Sequence, residues 1–152
     1  MADWAADCAD RVLPLFERIY PEDDRPCRAI DVCRVWAQGG VLQMAEIRAA
    51  SLAAHVAARD AARGSAAQFA ARAAGQAVAT AHVPQHAYGA AWYALKAIAA
   101  ADPADAMSNV TREREWQTRG LPEGLREEIM GKIVVLERGD GVAIKLRKGE
   151  NF

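Results

Sequence analysis

The chain has little cysteine, and its cysteines fit neither a disulfide framework nor a metal-binding motif. Cys8, Cys27 and Cys33 are an odd number of thiols without C-x-x-C spacing. Each falls among apolar residues of a predicted helix, where a thiol behaves as a small buried hydrophobe. We therefore predict three free thiols in a reducing compartment.

Long apolar runs and an excess of one charge are also missing. No window reaches ~18 uninterrupted apolar residues, so the sequence predicts no transmembrane helix. The opening residues, MADWAADCAD, are acidic and lack the basic start and apolar stretch of a signal peptide. The formal net charge is −1, which gives no basic field to attract phosphate backbones. We predict a cytoplasmic protein that binds neither membranes nor nucleic acid.

Common catalytic motifs are missing as well. The sequence contains no P-loop, no G-x-G-x-x-G and no G-x-S-x-G. No cysteine has an electropositive or exposed setting that would mark it as a nucleophile. We therefore expect no cofactor, while the residues alone leave open whether the protein is an enzyme.

Alanine, the best helix former, dominates residues 65–101. Pro84 interrupts this stretch, and a proline inside a helix removes a backbone hydrogen bond. We predict two helices, residues 65–82 and 85–101, with Ser65 as the N-cap that follows Gly64. Small residues let neighbouring helices approach closely, so this helical pair is expected to form the centre of the core.

Apolar periodicity predicts further helices over residues 3–20, 26–37, 42–62, 109–119 and 123–130. Ile19, Met44 and Leu52 fall on their apolar faces. Pro14 implies either a kink or a short helix followed by a second turn. Residues 132–138 are rich in β-branched side chains, and Gly139-Asp140-Gly141 is a turn signal, which together predict a β-hairpin.

The predicted fold is all-α: a compact multi-helix bundle, residues 1–130, with a short C-terminal β-hairpin extension, residues 131–152. An isolated hairpin is marginally stable in water. It must dock on the bundle, pair with another chain or be a segment foreign to the core domain.

His82 and His86 are four residues apart, so a helix would place both imidazoles on one side, as a metal site requires. His55, with an aspartate such as Asp7, Asp10 or Asp24, would complete the ligand set. No glutamate follows the first histidine as in the zinc-protease motif, and Pro84 distorts the spacing. A histidine among alanines, as His55 is, is also typical of a partly buried ring bonded to a backbone group or carboxylate.

A second polar cluster, Asp24-Arg25-Pro26, is either a helix cap with a surface ion pair or a grip on a partner. The candidate binding residues of the chain are Asp24, Arg25, His55, His82 and His86. If any metal binds, the three histidines are its ligands.

Several short motifs occur in order along residues 3–126. They are Asp7-Cys8-Ala9, Asp24-Arg25-Pro26, Ala53-Ala54-His55, Ala81-His82-Val83 with His86-Ala87, and Glu115-Trp116-Gln117. Together they resemble a small bacterial family called putative immunity proteins, of polymorphic-toxin systems. The resemblance implies a non-enzymatic protein that binds a cognate toxin and neutralises it by occluding its active site. The hairpin lies outside the resemblance.

Two other functions fit the residues. One is a small metal-dependent enzyme of helical-bundle type, in which His55, His82 and His86 hold the ion and leave a position open for water. The other is a self-associating scaffold protein that forms a homodimer through the C-terminal hairpin.

Overall fold

Seven helices and a two-stranded hairpin follow one another in the computed structural model, which describes residues 1–139 and 141–147. The elements are α1 Ala2–Glu17, α2 Arg25–Ala37, α3 Met44–Asp60, α4 Ala66–Ala79, α5 His86–Ala101, α6 Ala106–Gly120, α7 Glu123–Met130, β1 Ile133–Arg138 and β2 Gly141–Leu146. The prediction of an all-α bundle with a C-terminal hairpin is confirmed. The predicted turn residue Asp140 and the end of the predicted extension, residues 148–152, lie outside the described residues.

Local sequence signals set the helix ends. The Ser65 hydroxyl accepts a hydrogen bond from the backbone N–H of Gln68 at 3.1 Å, so the predicted N-cap is confirmed. Gly64 precedes it with φ of 76°, a conformation that suits glycine. The region around Pro84 separates α4 from α5, which confirms two helices rather than one kinked helix. Pro14, by contrast, lies inside α1.

Helix α4 lies at the centre of the bundle. It packs against α1, α2, α3 and α5; α2 also packs on α1 and α3, and α1 also packs on α5. The four neighbours therefore surround α4 in the order α3, α2, α1, α5. Helices α3 and α5 have at most marginal contact with each other, so this ring is open between them.

The residues of α4 match this arrangement. Its ring-facing side chains are almost all alanine, and they are fully buried, which allows the close helix packing expected from the sequence. Phe69, Arg72 and Gln76 are half-buried and follow one another at helical spacing along one side. These three form the side of α4 that the open ring leaves accessible.

Three apolar predictions were wrong. Ile19 is 62% exposed because α1 ends at Glu17, so Ile19 lies in the following turn. Met44 is exposed as the first residue of α3. Leu52 is 63% exposed, on the side of α3 that borders the opening in the ring.

All three cysteines are free thiols. Cys8 and Cys33 are buried as predicted, whereas Cys27 is only half-buried. No helix in residues 1–139 and 141–147 has the length and hydropathy needed to cross a membrane.

A buried charge joins the first and sixth helices. The carboxylate of Glu113 is 4% exposed, and it accepts hydrogen bonds from Arg11 Nε at 3.1 Å and Nη2 at 2.9 Å. The guanidinium also lies 4.1 Å from the ring centroid of Trp116. This bidentate ion pair compensates the negative charge of Glu113, which would otherwise be costly to bury.

The hairpin docks on the bundle. Its strands pair antiparallel from Ile133 opposite Leu146 to Arg138 opposite Gly141. Ile133 is buried, and the indole N–H of Trp92 in α5 donates to the carbonyl of Ile144 at 2.9 Å. Docking, one of the three predicted arrangements, is therefore observed, while the division into domains at residue 130 stays a prediction.

Candidate binding groove

The opening between α3 and α5 forms a groove with α4 as its floor. We call it the α4 groove. Phe69, Arg72 and Gln76 form the floor, and side chains of α3 and α5 form the walls. These wall residues are Arg48, Leu52 and His55 on α3, and His86, Tyr93 and Lys96 on α5.

The three predicted histidines meet at one end of this groove. His55, His82 and His86 all line a pocket of about 330 Å³, which Arg48 and Leu52 also border. The rings of His82 and His86 lie 5.4 Å apart, centroid to centroid. Three of the five predicted binding residues are therefore brought together.

Two glycines make room for this arrangement. A Cβ atom on Gly75 would lie 2.8 to 3.0 Å from three atoms of the His55 ring, so the ring rests directly on the α4 backbone. A Cβ atom on Gly89 would lie 2.6 Å from Gln76 Oε1. Both distances are below ordinary van der Waals contact, so each glycine leaves room for a side chain of the neighbouring helix.

Hydrogen bonding fixes the ring of His86. Its Nδ1 lies 2.7 Å from Gln76 Oε1. With the amide in this orientation the oxygen can only accept, so Nδ1 carries the proton and donates. In the neutral ring, Nε2 is then left as an acceptor at the pocket.

The site favours neutral imidazoles. The pKa of His86 is lowered, first by burial and then by the nearby His82. The pKa of His55 is lowered by burial and further by Arg72, Arg59 and His86. A neutral ring can both donate and accept a hydrogen bond, which suits recognition of a polar partner.

The three histidines are not joined by further metal ligands among the described residues. Within residues 1–139 and 141–147 no three His, Cys, Asp or Glu side chains are placed to hold one ion. Asp7 and Asp10, predicted as further ligands, are bonded to Arg34 at 2.8 and 3.2 Å. The metal-dependent enzyme therefore has no complete ligand set in the part of the chain that the structure describes.

Aromatic and basic side chains occupy the other end of the groove, where Phe69 and Lys96 line a separate cavity of about 280 Å³ that the hairpin also borders. Lys96 Nζ lies 4.4 Å from the ring centroid of Phe69 and 4.7 Å from that of Trp92. The Arg72 guanidinium lies 5.9 Å from the centroid of Tyr93. Burial and the neighbouring Arg72 lower the pKa of Lys96. Each cation is thus held over an aromatic face.

Sequence reasoning missed this end of the groove. The signal was present, since Phe69, Arg72 and Gln76 interrupt an alanine-rich helix at helical spacing, as Tyr93 and Lys96 do in the next helix. The sequence could not show that these residues of α4 and α5 border the same opening between helices.

The groove is positively charged. Arg48, Arg72 and Lys96 take part in none of the ion pairs found among the described residues. Their charges therefore have no ion-pair partner in residues 1–139 and 141–147, although the chain as a whole is nearly neutral. Such a local field attracts acidic partners.

The other predicted cluster is satisfied internally. Arg25 bonds to Asp23 at 2.6 Å and to Asp60, the last residue of α3, at 2.9 Å. Asp24 is exposed, stands at the N-cap of α2 and makes no side-chain capping bond. Neither residue lines the histidine pocket, and their role in binding stays a prediction.

Comparison with protein families matches residues 1–124 to the family described as Imm-5 like putative immunity protein. The matched range includes helices α1 to α6 and all residues of the α4 groove, and it ends before the hairpin. No curated protein and no solved structure matches the chain.

Proposed function

The chain belongs to the Imm-5 like putative immunity protein family, and on that premise we propose that it binds a cognate toxin protein in the bacterial cytoplasm and neutralises it. Family membership carries this proposal. The structure supports it with a concave, positively charged surface inside the matched region, which is where we place the toxin.

The residues of the α4 groove are of the kinds that dominate protein–protein affinity. Tyrosine, tryptophan and arginine are enriched among the few side chains that supply most interface energy. Tyr93 and Arg72 are such residues, and each is half-buried against its neighbours. Little side-chain freedom remains to be lost when a partner binds, which favours affinity.

The charge of the groove suggests how the toxin is recognised. Arg48, Arg72 and Lys96 have no carboxylate partner among the described residues. Acidic groups of the toxin would therefore form ion pairs with them. Complementary charge speeds encounter and selects partners more than it adds affinity. The neutral rings of His55 and His86 would then make polar contacts next to these charges. Neutralisation follows by occlusion: the bound protein covers the active site of the toxin.

Charge reversal on the groove floor tests the proposal. The product of the gene adjacent to that of this protein is purified as the candidate toxin, and its affinity is measured by calorimetry for the wild type and for Arg72→Glu. We expect roughly 30-fold or greater weakening, the ~2 kcal/mol typical of a central contact, and loss of protection in a co-expression toxicity assay.

Arg28→Glu is the matched control. Arg28 is exposed on α2, across α4 from the opening in the ring, so the same charge change should leave the affinity within a few-fold. Equal weakening by both variants would place the contact elsewhere. If the neighbouring protein does not bind the wild type, the toxin assignment itself is refuted.

The two alternative functions are tested on the purified protein alone. Sedimentation measures the homodimer expected from pairing through the hairpin. Elemental analysis of untagged protein, repeated on His82→Ala, measures any bound metal; stoichiometric metal that is lost in the variant would favour the enzyme over the immunity protein.

A further inference from the structure

The outer strand of the hairpin has an open edge. Within the described residues β1 pairs only with β2. The backbone N–H of Arg147 donates to the carbonyl of Lys132 at 2.8 Å, which makes these two a hydrogen-bonded pair. Hydrogen-bonded pairs recur at every second residue of an antiparallel ladder. The N–H and C=O groups of Ile133, Val135 and Glu137 therefore point away from β2.

This edge opens into a groove on the surface of the protein. The groove has a volume of about 800 Å³ and lies between β1 and one face of α6. We call it the β1 groove. Ile133 and Val135 line it from the strand, and Met107, Arg114 and Arg119 line it from the helix. Unpaired backbone donors and acceptors thus face a space bordered by both apolar and charged side chains.

Basic side chains outnumber acidic ones along the groove and the strand edge. Arg114 and Arg119 line the groove with Glu115, and β1 ends in Glu137 and Arg138. Lys132, just before β1, lies over the ring of Tyr88 instead, with Nζ 4.8 Å from the ring centroid. Arg119 and Arg138 take part in no ion pair within residues 1–139 and 141–147, so they favour acidic groups on an occupant.

A second copy of the same strand fits poorly. In an antiparallel pair of two β1 strands, residues whose backbone groups point outward must lie opposite each other. The register with the largest overlap centres on Val135 of both copies and places Lys132 opposite Arg138 at each end. It also places Ile133 opposite Glu137. Like charges directly across a ladder are destabilising.

We propose that the edge of β1 binds an extended segment of a partner protein, which adds to the hairpin as a third strand. The segment has an apolar centre and a carboxylate near each end. Backbone hydrogen bonds to Ile133, Val135 and Glu137 hold it, and Arg119 and Arg138 pair with its carboxylates. The inference does not depend on the toxin assignment, because the hairpin lies outside the family match at residues 1–124.

The probe is a labelled seven-residue peptide that alternates valine and threonine and has a glutamate at each end, compared with the same peptide ending in lysines. Fluorescence polarisation with the full chain measures both affinities. We expect saturable binding of the glutamate peptide below ~1 mM, and at least about 3-fold weaker binding of the lysine peptide. Arg119→Glu should reduce this preference or reverse it.

Substitution of Val135 tests the edge itself. Val135→Pro removes an N–H that β2 does not use, so the hairpin keeps its ladder while the partner loses a donor. Val135→Thr preserves the N–H and the shape and is the control. We expect about 10-fold weaker peptide binding for proline than for threonine. Circular dichroism and the fluorescence of Trp92, which bonds to β2, check that the hairpin still docks.

Amide hydrogen exchange tests the same strand edge in the wild-type protein, so its result does not depend on whether a variant folds. In the free protein the N–H groups of residues 134 and 136 should be protected, and those of Val135 and Glu137 should exchange faster. The glutamate peptide should slow exchange at Val135 and Glu137. Binding without this slowing, binding that ignores peptide charge, or no binding up to ~1 mM would each overturn the proposal. So would a dimer of the free protein that Val135→Pro abolishes, since the occupant would then be a second copy.

Discussion

Replacement of Gly75 by alanine tests the reasoning about the histidine pocket most directly. Gly75 lies inside α4 without a positive φ, so its backbone accepts alanine. Helix propensity alone would then stabilise the protein by about 1 kcal/mol. The new methyl group, however, would lie 2.8, 2.9 and 3.0 Å from three ring atoms of His55. Overpacking of this kind typically costs about 1–3 kcal/mol.

A double-mutant cycle separates the two effects. Gly75→Ala should be neutral or destabilising by up to ~2 kcal/mol in the wild type, but stabilising by about 1 kcal/mol in His55→Ala, where the obstructing ring is gone. The coupling energy between the two positions is therefore expected at about 1–3 kcal/mol. Urea unfolding, followed by circular dichroism, gives the free energy of each variant.

Gly124→Ala in α7 is the control, because a Cβ atom there meets nothing within 4 Å. It should stabilise by roughly 0.5–1 kcal/mol in both backgrounds. If Gly75→Ala stabilises equally with and without His55, the ring does not rest on the α4 backbone, and the account of the pocket is refuted.

Other predictions concern buried charge, pH and thiol chemistry. Arg11→Met leaves the buried Glu113 carboxylate unpaired, so urea unfolding should show a loss of roughly 1–3 kcal/mol near pH 7. The lowered pKa of His55 means that the unfolded chain binds its proton first. Its contribution to stability is therefore complete above about pH 6.5 and lost as the pH falls through the folded pKa. His55→Gln should make the free energy of unfolding depend less on pH in that range. In a thiol-labelling assay Cys27 should react first, because it is only half-buried, and Cys27→Ser should remove that phase; burial raises the pKa of Cys33 to about 12 and protects it until the chain unfolds. Equal labelling rates for all three thiols would contradict the burial described here.

The predictions that succeeded depend on signals close together in the chain. The Ser65 cap needs only Gly64 before it and a backbone N–H three residues later. Pro84 separates α4 from α5 for reasons that concern a single turn. The hairpin follows from β-branched residues on both sides of a glycine-rich turn.

The failures and the missed residues involve the assembly of the helices. Leu52 matches the apolar stripe of α3, yet it is exposed because the ring around α4 remains open on that side. The sequence does not single out Arg72 and Lys96, and only packing places them along the same opening as the histidines. The sequence also gives no sign of why position 75 is glycine. The His55 ring that packs against it belongs to another helix, twenty positions earlier in the chain.

The position of the groove floor on α4 has a consequence for dynamics. Phe69, Arg72 and Gln76 stand on the helix that four others enclose, so this surface cannot loosen unless the bundle itself comes apart. Amides of α4 should therefore exchange with solvent only through global unfolding, unlike most recognition surfaces, which belong to the least stable parts of a protein. A partner would then meet a surface that is already in its bound shape, and changes in affinity would appear mainly in the lifetime of the complex.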